Sequence, residues 1–309
     1  MKPHPLAISA SLLFAIFLWG GNNAGIKYLV HSWPPIWVGG TRFALAGLLM
    51  LALLRWTSLL GAASPCPAAL RRQLWLRGGL SLAVYITVFN WALKFTNASH
   101  IALYLGASPV WALLWEGWKG RQPREILKRA LAALLALSGV VVLLWPALQK
   151  SGGGSWIGEL LGVAASLLWV VYGRDCRFLG SQLSGPEVSA HTMWRAGVFL
   201  LPLALVESGG SLPHNLWNAR LLGVQCYCII AGGVIAFGLW NSALRHWKTS
   251  EVMLFNNLIP ASTMLWAHFT LGEPMTPTFW LAMVLVVGGV LIAQLNWTQV
   301  WYNFCPPTE

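Results

Sequence analysis

Apolar residues run along this chain in long stretches, and polar residues crowd into the short intervals between them. A helix needs about 20 residues to cross about 30 Å of hydrocarbon at 1.5 Å per residue. Ten stretches reach that length, at 6–27, 35–55, 75–93, 98–118, 127–148, 156–174, 187–206, 220–244, 249–270 and 276–296. No interval between them is long enough for a soluble domain. The longest, 56–74, carries Ser64, Pro65, Cys66 and Pro67 and reads as a loop. The first stretch has no small-residue cleavage site and too long an apolar run for a signal peptide, so it reads as a retained first helix. The pattern predicts an all-α membrane protein with ten transmembrane helices.

The chain also repeats itself. At a shift of 151, Asn90, Ala92 and Leu93 fall on Asn241, Ala243 and Leu244. Lys94 falls on Arg245, Ser99 on Ser250, Leu103 on Leu254, Pro109 on Pro260, Trp115 on Trp266 and Pro123 on Pro274, all without a gap. Elsewhere the shift slips to 150, with Trp19 on Trp169, Lys27 on Arg177 and Gly139-Val140 on Gly289-Val290. An ungapped run that includes prolines, an asparagine and a cation is hard to obtain by chance. The halves divide at about residue 150, as 1–150 and 151–309 with a short tail. Five spans per half is an odd number, so the second half enters the membrane from the opposite side. The prediction is two inverted five-helix repeats, an arrangement secondary transporters use to rock around a central site.

Composition agrees: 57% of the 309 residues are apolar and only 9% are charged, with a mean hydropathy of +0.61. So few charges cannot coat a soluble domain of this size. The net charge of +11 could suggest nucleic acid, but its distribution orients a bundle instead. With the N-terminus in the cytoplasm, 14 lysines and arginines fall inside and 4 outside, while Arg42 and Arg195 lie within spans. That is the positive-inside bias, and it places both termini in the cytoplasm. No nucleic-acid partner is expected.

Leu239-Trp240-Asn241-Ser242-Ala243-Leu244, then Ser250, Pro260 and Leu271-Gly272-Glu273, stand in the second half. The first half has Leu18-Trp19-Gly20 with Asn22 and Asn23, then Pro34-Pro35, Arg42-Phe43 and Ala46-Gly47. Over about 6–296 the chain resembles the EamA-type permeases of the drug/metabolite transporter superfamily. The resemblance implies that spans 1, 3, 4, 6, 8 and 9 surround a cavity, and that the substrate is an amino acid or another small metabolite moved outward. One departure is Gly120-Arg121-Gln122, where the family usually has Gly-Glu.

Polar groups inside hydrocarbon are costly unless partnered, so they mark candidate sites. Asn22 and Asn23 follow Gly20 and Gly21, which are expected to weaken the helix and let a neighbour or ligand approach the backbone; interhelical hydrogen bonds and close packing of Gly21 and Gly25 are the alternative. Asn256 and Asn257 precede Pro260, which removes a backbone hydrogen bond to the Asn256 carbonyl. They are either a binding element or local repair of a kink. Trp19, Tyr85, Tyr104, Trp111, Trp169 and Tyr227 are the aromatics expected deep on cavity walls, suiting a substrate with an apolar body. Arg195 is the deepest charge, a candidate for gating or for pairing with a carboxylate on the substrate, with a structural partner as the alternative, and Arg42 reads as structural. His100 and Glu251, 151 apart at the starts of spans four and nine, face opposite sides as candidate gating or proton-coupling groups, with helix capping as the alternative.

Enzyme chemistry is not expected. There is no acidic pair for prenyl transfer, no Gly-x-Ser-x-Gly elbow and no phosphate-binding Gly-x-x-x-x-Gly-Lys loop. Cys226 and Cys228 lack a histidine or acidic partner at ligand spacing, so neither a metal nor another cofactor is expected. The other cysteines fall on the reducing side, and no disulfide is expected. The expected function is a secondary transporter of the inner membrane, with a small-molecule substrate, the lipid bilayer and a second copy of the chain as candidate partners. Export of aromatic amino acids or drug-like amphiphiles is the runner-up. A non-transporting scaffold or a channel is the alternative class.

Overall fold

The computed structural model describes residues 4–61, 66–95, 101, 104–106, 108, 111, 112, 115, 123–150, 156–271 and 277–294. Among the described residues every regular element is helical. We number the long helices α1 (Pro5–Ser32), α2 (Pro35–Trp56), α3 (Ala68–Phe95), α4 (Pro123–Lys150), α5 (Trp156–Leu179), α6 (Gly185–Glu207), α7 (Ala219–His246), α8 (249–271) and α9 (Pro277–Gln294). The described residues between 101 and 115 are helical too. Five of these helices, α1, α2, α3, α6 and α7, are long and apolar enough to cross a membrane. α5 is as long, but it carries Glu159, Arg174, Asp175 and Arg177.

The α1 helix shows why such segments are apolar all round. Leu12, Ala15, Ile16 and Trp19 are buried, while Leu6, Leu13, Phe14 and Phe17 are exposed, where only lipid accommodates them. Proline stands in the first turn of α1, α2 and α6, where its missing N–H has no helical partner to lose. Helix ends run past the predicted limits. α3 begins at Ala68 rather than 75, and α5 reaches Leu179 rather than 174, so Arg174 and Arg177 lie in helical turns.

The expected weakening at Gly20-Gly21 does not occur, since α1 runs unbroken through them. In hydrocarbon a helix keeps its internal hydrogen bonds. Both glycines serve close approach instead: a Cβ at Gly20 would strike Ser262, and one at Gly21 would strike the Tyr227 hydroxyl and Trp266. Departures from α geometry fall elsewhere. Leu74–Leu80 in α3 and Cys228–Ile235 in α7 are π-helical, and each holds a glycine pair. Leu254–Leu258 in α8 tightens to a 3₁₀ turn just before Pro260.

Packing crosses the midpoint of the chain. α2 lies against α6, α4 against α9, α3 against α5, and α1 against α7 and α8. Contacts are reciprocal at a shift of 150. Gly47 of α2 meets the backbone of Trp194, and Gly197 of α6 meets Ala44. Trp19 and Trp169, themselves 150 apart, touch with ring centroids 5.6 Å apart. The paired asparagines act alike: Asn90 Nδ2 donates to the Pro35 carbonyl at the start of α2 (2.8 Å), and Asn241 Nδ2 donates to Ser189 Oγ in the early turns of α6 (2.8 Å).

Candidate substrate cavity

α1, α2, α3, α5, α7, α8 and the helical residues around Leu105 converge on one interior space. Trp19, Asn22, Asn23 and Ile26 come from α1, and Arg42 from α2. Tyr85, Ile86 and Phe89 come from α3, Trp169 from α5, Phe237 from α7 and Ile259 from α8. The volume open to the centre of a water-sized sphere is about 40 Å³. That is room for two or three waters, far below the roughly 300–1,000 Å³ of a ligand-filled pocket. As it stands the space is too small for an amino acid. A larger depression of about 430 Å³ lies over the exposed loop 212–218, away from the helices that meet at the centre.

The aromatics of the cavity lining form a continuous layer with Trp240. Trp19 meets Phe237 and Trp240, each at 5.0 Å between centroids. Trp169 meets Trp240 at 5.5 Å and Tyr85 at 5.0 Å. The Trp19 indole N–H donates to the Gly232 carbonyl (2.9 Å), which fixes the ring against α7. Gly232 also leaves the space that the Asn22 side chain occupies. Large rings with offset and edge-on contacts give an apolar wall that holds its shape.

Of the residues singled out from sequence, Trp19, Asn22, Asn23, Tyr85 and Trp169 share this cavity. Asn256 and Asn257 are fully buried and stand outside its lining. Asn256 Nδ2 donates to Ser108 Oγ (3.0 Å), and Asn257 Nδ2 donates to the Leu254 carbonyl (3.2 Å) within the 3₁₀ turn. Tyr104 packs on Gly162 and its carbonyl accepts from Ser166, while Trp111 is half-buried in the same helical stretch. The Tyr227 hydroxyl donates to the Leu18 carbonyl (3.0 Å). His100 lies outside the described residues.

Glu251 and Arg195 lie away from the cavity. A Glu251 oxygen accepts the Lys248 N–H (3.1 Å), and its other oxygen pairs with Arg129 (2.8 Å), tying the start of α8 to α4. Arg195 donates to the His191 carbonyl (2.9 Å), and its guanidinium stacks over Trp194 at 4.3 Å.

Arg42 is the residue that the sequence reading undervalued. Its Nη1 donates to Asn22 Oδ1 (3.2 Å), and its guanidinium lies 4.3 Å from the centre of the Phe43 ring. Only 4% of it is exposed, and its Nε has no partner. Among the described residues no carboxylate pairs with it. The signal available beforehand was the charge itself, eighth in an apolar helix and so roughly 10 Å along it.

Two sequence repeats of apolar helices thus meet around one interior cavity. The chain belongs to the EamA-like transporter family, whose model matches residues 7–145 and 156–295. It is 30% identical over 202 residues to the "Uncharacterized inner membrane transporter YedA" of Escherichia coli (strain K12), covering 63% of this chain and 61% of that protein. It is 26% identical over 198 residues to the "Probable terminal-alkyne amino-acid exporter" of Streptantibioticus cattleyicolor, covering 59% of this chain and 63% of that one. The chain thus spans about three fifths of the length of the curated relatives it matches. A solved crystal structure superposes with a TM-score of 0.75 at 20% identity, covering 96% of this chain and 99% of its own, and that likeness concerns the fold alone.

Proposed function

We propose that this chain is a secondary active transporter of the inner membrane that exports amino acids or related small metabolites by alternating access. The carrying observation is the cavity, where aromatic walls, two asparagines and one cation converge from both halves of the chain. Apolar rings suit the body of an amphiphilic metabolite, and the amides replace hydrogen bonds that its polar end leaves behind in water. In this reading Trp19, Asn22, Asn23, Tyr85 and Trp169 bind the substrate first. Tyr104, Trp111, Tyr227, Asn256 and Asn257 join the site when the helices part. Glu251, its repeat mate His100 and Arg195 serve gating.

The reading includes ten spans in two inverted halves with both termini cytoplasmic. Reciprocal contacts support the two-fold relation, since residues related by such an axis meet each other's mates. The E. coli relative's name supports the inner membrane, and the Streptantibioticus relative's name supports an amino-acid-like cargo.

The test is a flux assay with purified protein in proteoliposomes. A panel of labelled amino acids and their derivatives is offered with and without a proton gradient. Uptake of at least one compound above protein-free vesicles, lost in Asn22→Ala, is expected. Absence of flux for every compound under either condition overturns the reading.

A further inference from the structure

The cavity's charge decides its cargo more sharply than its shape does. It contains one formal charge among the described residues, the guanidinium of Arg42. A guanidinium keeps its proton in a protein. A buried cation ordinarily finds an acid, because an unpaired charge in a low-dielectric interior is costly. Here the described carboxylates are elsewhere. Glu125, Glu187 and Glu251 stand in the first turns of α4, α6 and α8, and Asp175 and Glu207 in the last turns of α5 and α6. What Arg42 has instead is one neutral amide oxygen, from Asn22, and a ring face.

We propose that Arg42 is the counter-ion for a carboxylate on the substrate, and that the cavity therefore prefers solutes with a carboxylate and no positive charge. The proposal rests on reading the cavity as the substrate site. Asn22 holds Nη1, which leaves the edge carrying the unpartnered Nε facing no protein acid. That edge has the fork geometry that matches the two oxygens of a carboxylate. Asn23 and Tyr85 line the same space and offer further donors. The apolar body then lies among Trp19, Trp169 and Phe89. A bound monoanion makes the occupied cavity neutral. A zwitterion restores a net positive charge, because its ammonium has only amide oxygens and ring faces to meet. An amine or amide without a carboxylate leaves Arg42 unpaired, and its ammonium, where it has one, adds a second positive charge. Cargo with a blocked or absent amino group ranks above a free amino acid, and both rank above the amide.

Three compounds with one indole body separate these cases: N-acetyl-tryptophan, tryptophan and tryptophanamide. Their labelled forms are assayed in proteoliposomes of the full chain, with protein-free vesicles subtracted. The expected order of flux is N-acetyl-tryptophan, then tryptophan, then tryptophanamide. The deciding variant is Asn22→Asp, which is isosteric and places a carboxylate on the oxygen that already meets Arg42. It should fold at least as well as the wild type, by thermal midpoint and gel filtration. It should also raise the half-saturating N-acetyl-tryptophan concentration about ten- to a hundredfold, the span of one charge-assisted interaction. Asn22 itself lines the site, so a second variant assigns the effect to Arg42. Arg42→Gln should remove the preference for acid over amide.

Unchanged N-acetyl-tryptophan transport in folded Asn22→Asp overturns the inference, as does equal handling of acid and amide by the wild type. Failure of all three indoles while other amino acids are carried overturns the inference and leaves the transport reading standing. Failure of every compound overturns both.

Discussion

A cation in the second turn of an apolar helix looks in a sequence like any arginine near a membrane surface. Its importance depends on what faces it, and periodicity alone does not reveal that Asn22, twenty residues earlier, turns toward the same point. Asn22 and Asn23 were legible because a buried amide needs a reason. Asn256 and Asn257 carried the same signal, yet lie off the cavity. They sit in the 3₁₀ turn at Leu254–Leu258, with their amides turned to Ser108 Oγ and the Leu254 carbonyl. Two outcomes separate the pairs. Asn22→Ala should weaken substrate binding by about 1–3 kcal/mol with a smaller change in unfolding, because a buried polar end of the cargo loses its partner. Asn257→Ala removes the amide that satisfies the Leu254 carbonyl. It should lower stability in detergent by about 1–2 kcal/mol and raise half-saturation less than Asn22→Ala does, since Asn257 meets the cargo only after the helices part. Thermal unfolding and concentration-dependent flux on the same preparations check both, and a stability defect without any binding defect in Asn256→Ala would remove that residue from the site.

At the scale of elements, the run of matches from Asn90 to Pro123 onto Asn241 to Pro274 was readable from sequence because prolines and amides rarely recur by accident in so apolar a chain. Its structural sense was not readable. The asparagine pair turns out to tether equivalent helix starts, through Pro35 in one half and Ser189 in the other. Of the two readings open for the glycines, close approach of neighbours is the one the structure shows, as expected where a helix lies in lipid. The crossing of α2 and α6 is the clearest case. A Cβ at Gly47 would strike the Trp194 backbone, so Gly47→Leu has no relaxed position. We expect it to cost about 1–3 kcal/mol or more and to abolish a monodisperse gel-filtration peak, as overpacked contacts do. Gly223→Leu, on a face with nothing near its Cβ, should behave as the wild type. Equal tolerance of both substitutions would mean that α2 and α6 do not cross as described. The Arg129–Glu251 pair is a gentler element contact. Its partly exposed geometry predicts a stability loss under about 1 kcal/mol for Glu251→Gln, so a severalfold change in flux there would mark a gate rather than a brace.

For the whole molecule, ten apolar stretches and a skewed set of cations contain the entire prediction of orientation, because lipid allows so few ways to satisfy a backbone. Labelling single cysteines with a membrane-impermeant reagent tests it. Ser211→Cys, in the loop after α6, should react from outside in intact cells, and Ser58→Cys, after α2, only once the membrane is opened. The reverse pattern would invert the molecule. What no linear reading contains is the net charge of a cavity assembled from six helices and the stretch around Leu105, and under the proposed function that charge bears on the transport cycle. When the site is empty, closing it over Arg42 encloses an uncompensated cation. When a monoanion is bound, the same movement encloses a neutral pair, and the barrier falls by the difference. A carrier built this way changes sides more readily loaded than empty, so it exchanges rather than leaks. A difference of only about 1.4 kcal/mol between the two barriers gives a tenfold effect on rate. Efflux of labelled N-acetyl-tryptophan from loaded vesicles should therefore accelerate about tenfold or more when unlabelled compound is added outside. In Arg42→Gln, empty and loaded cavities no longer differ in this way, and whatever flux remains should lose its dependence on the far side. Equal wild-type efflux into buffer and into substrate would show that Arg42 exerts no such control over the empty return.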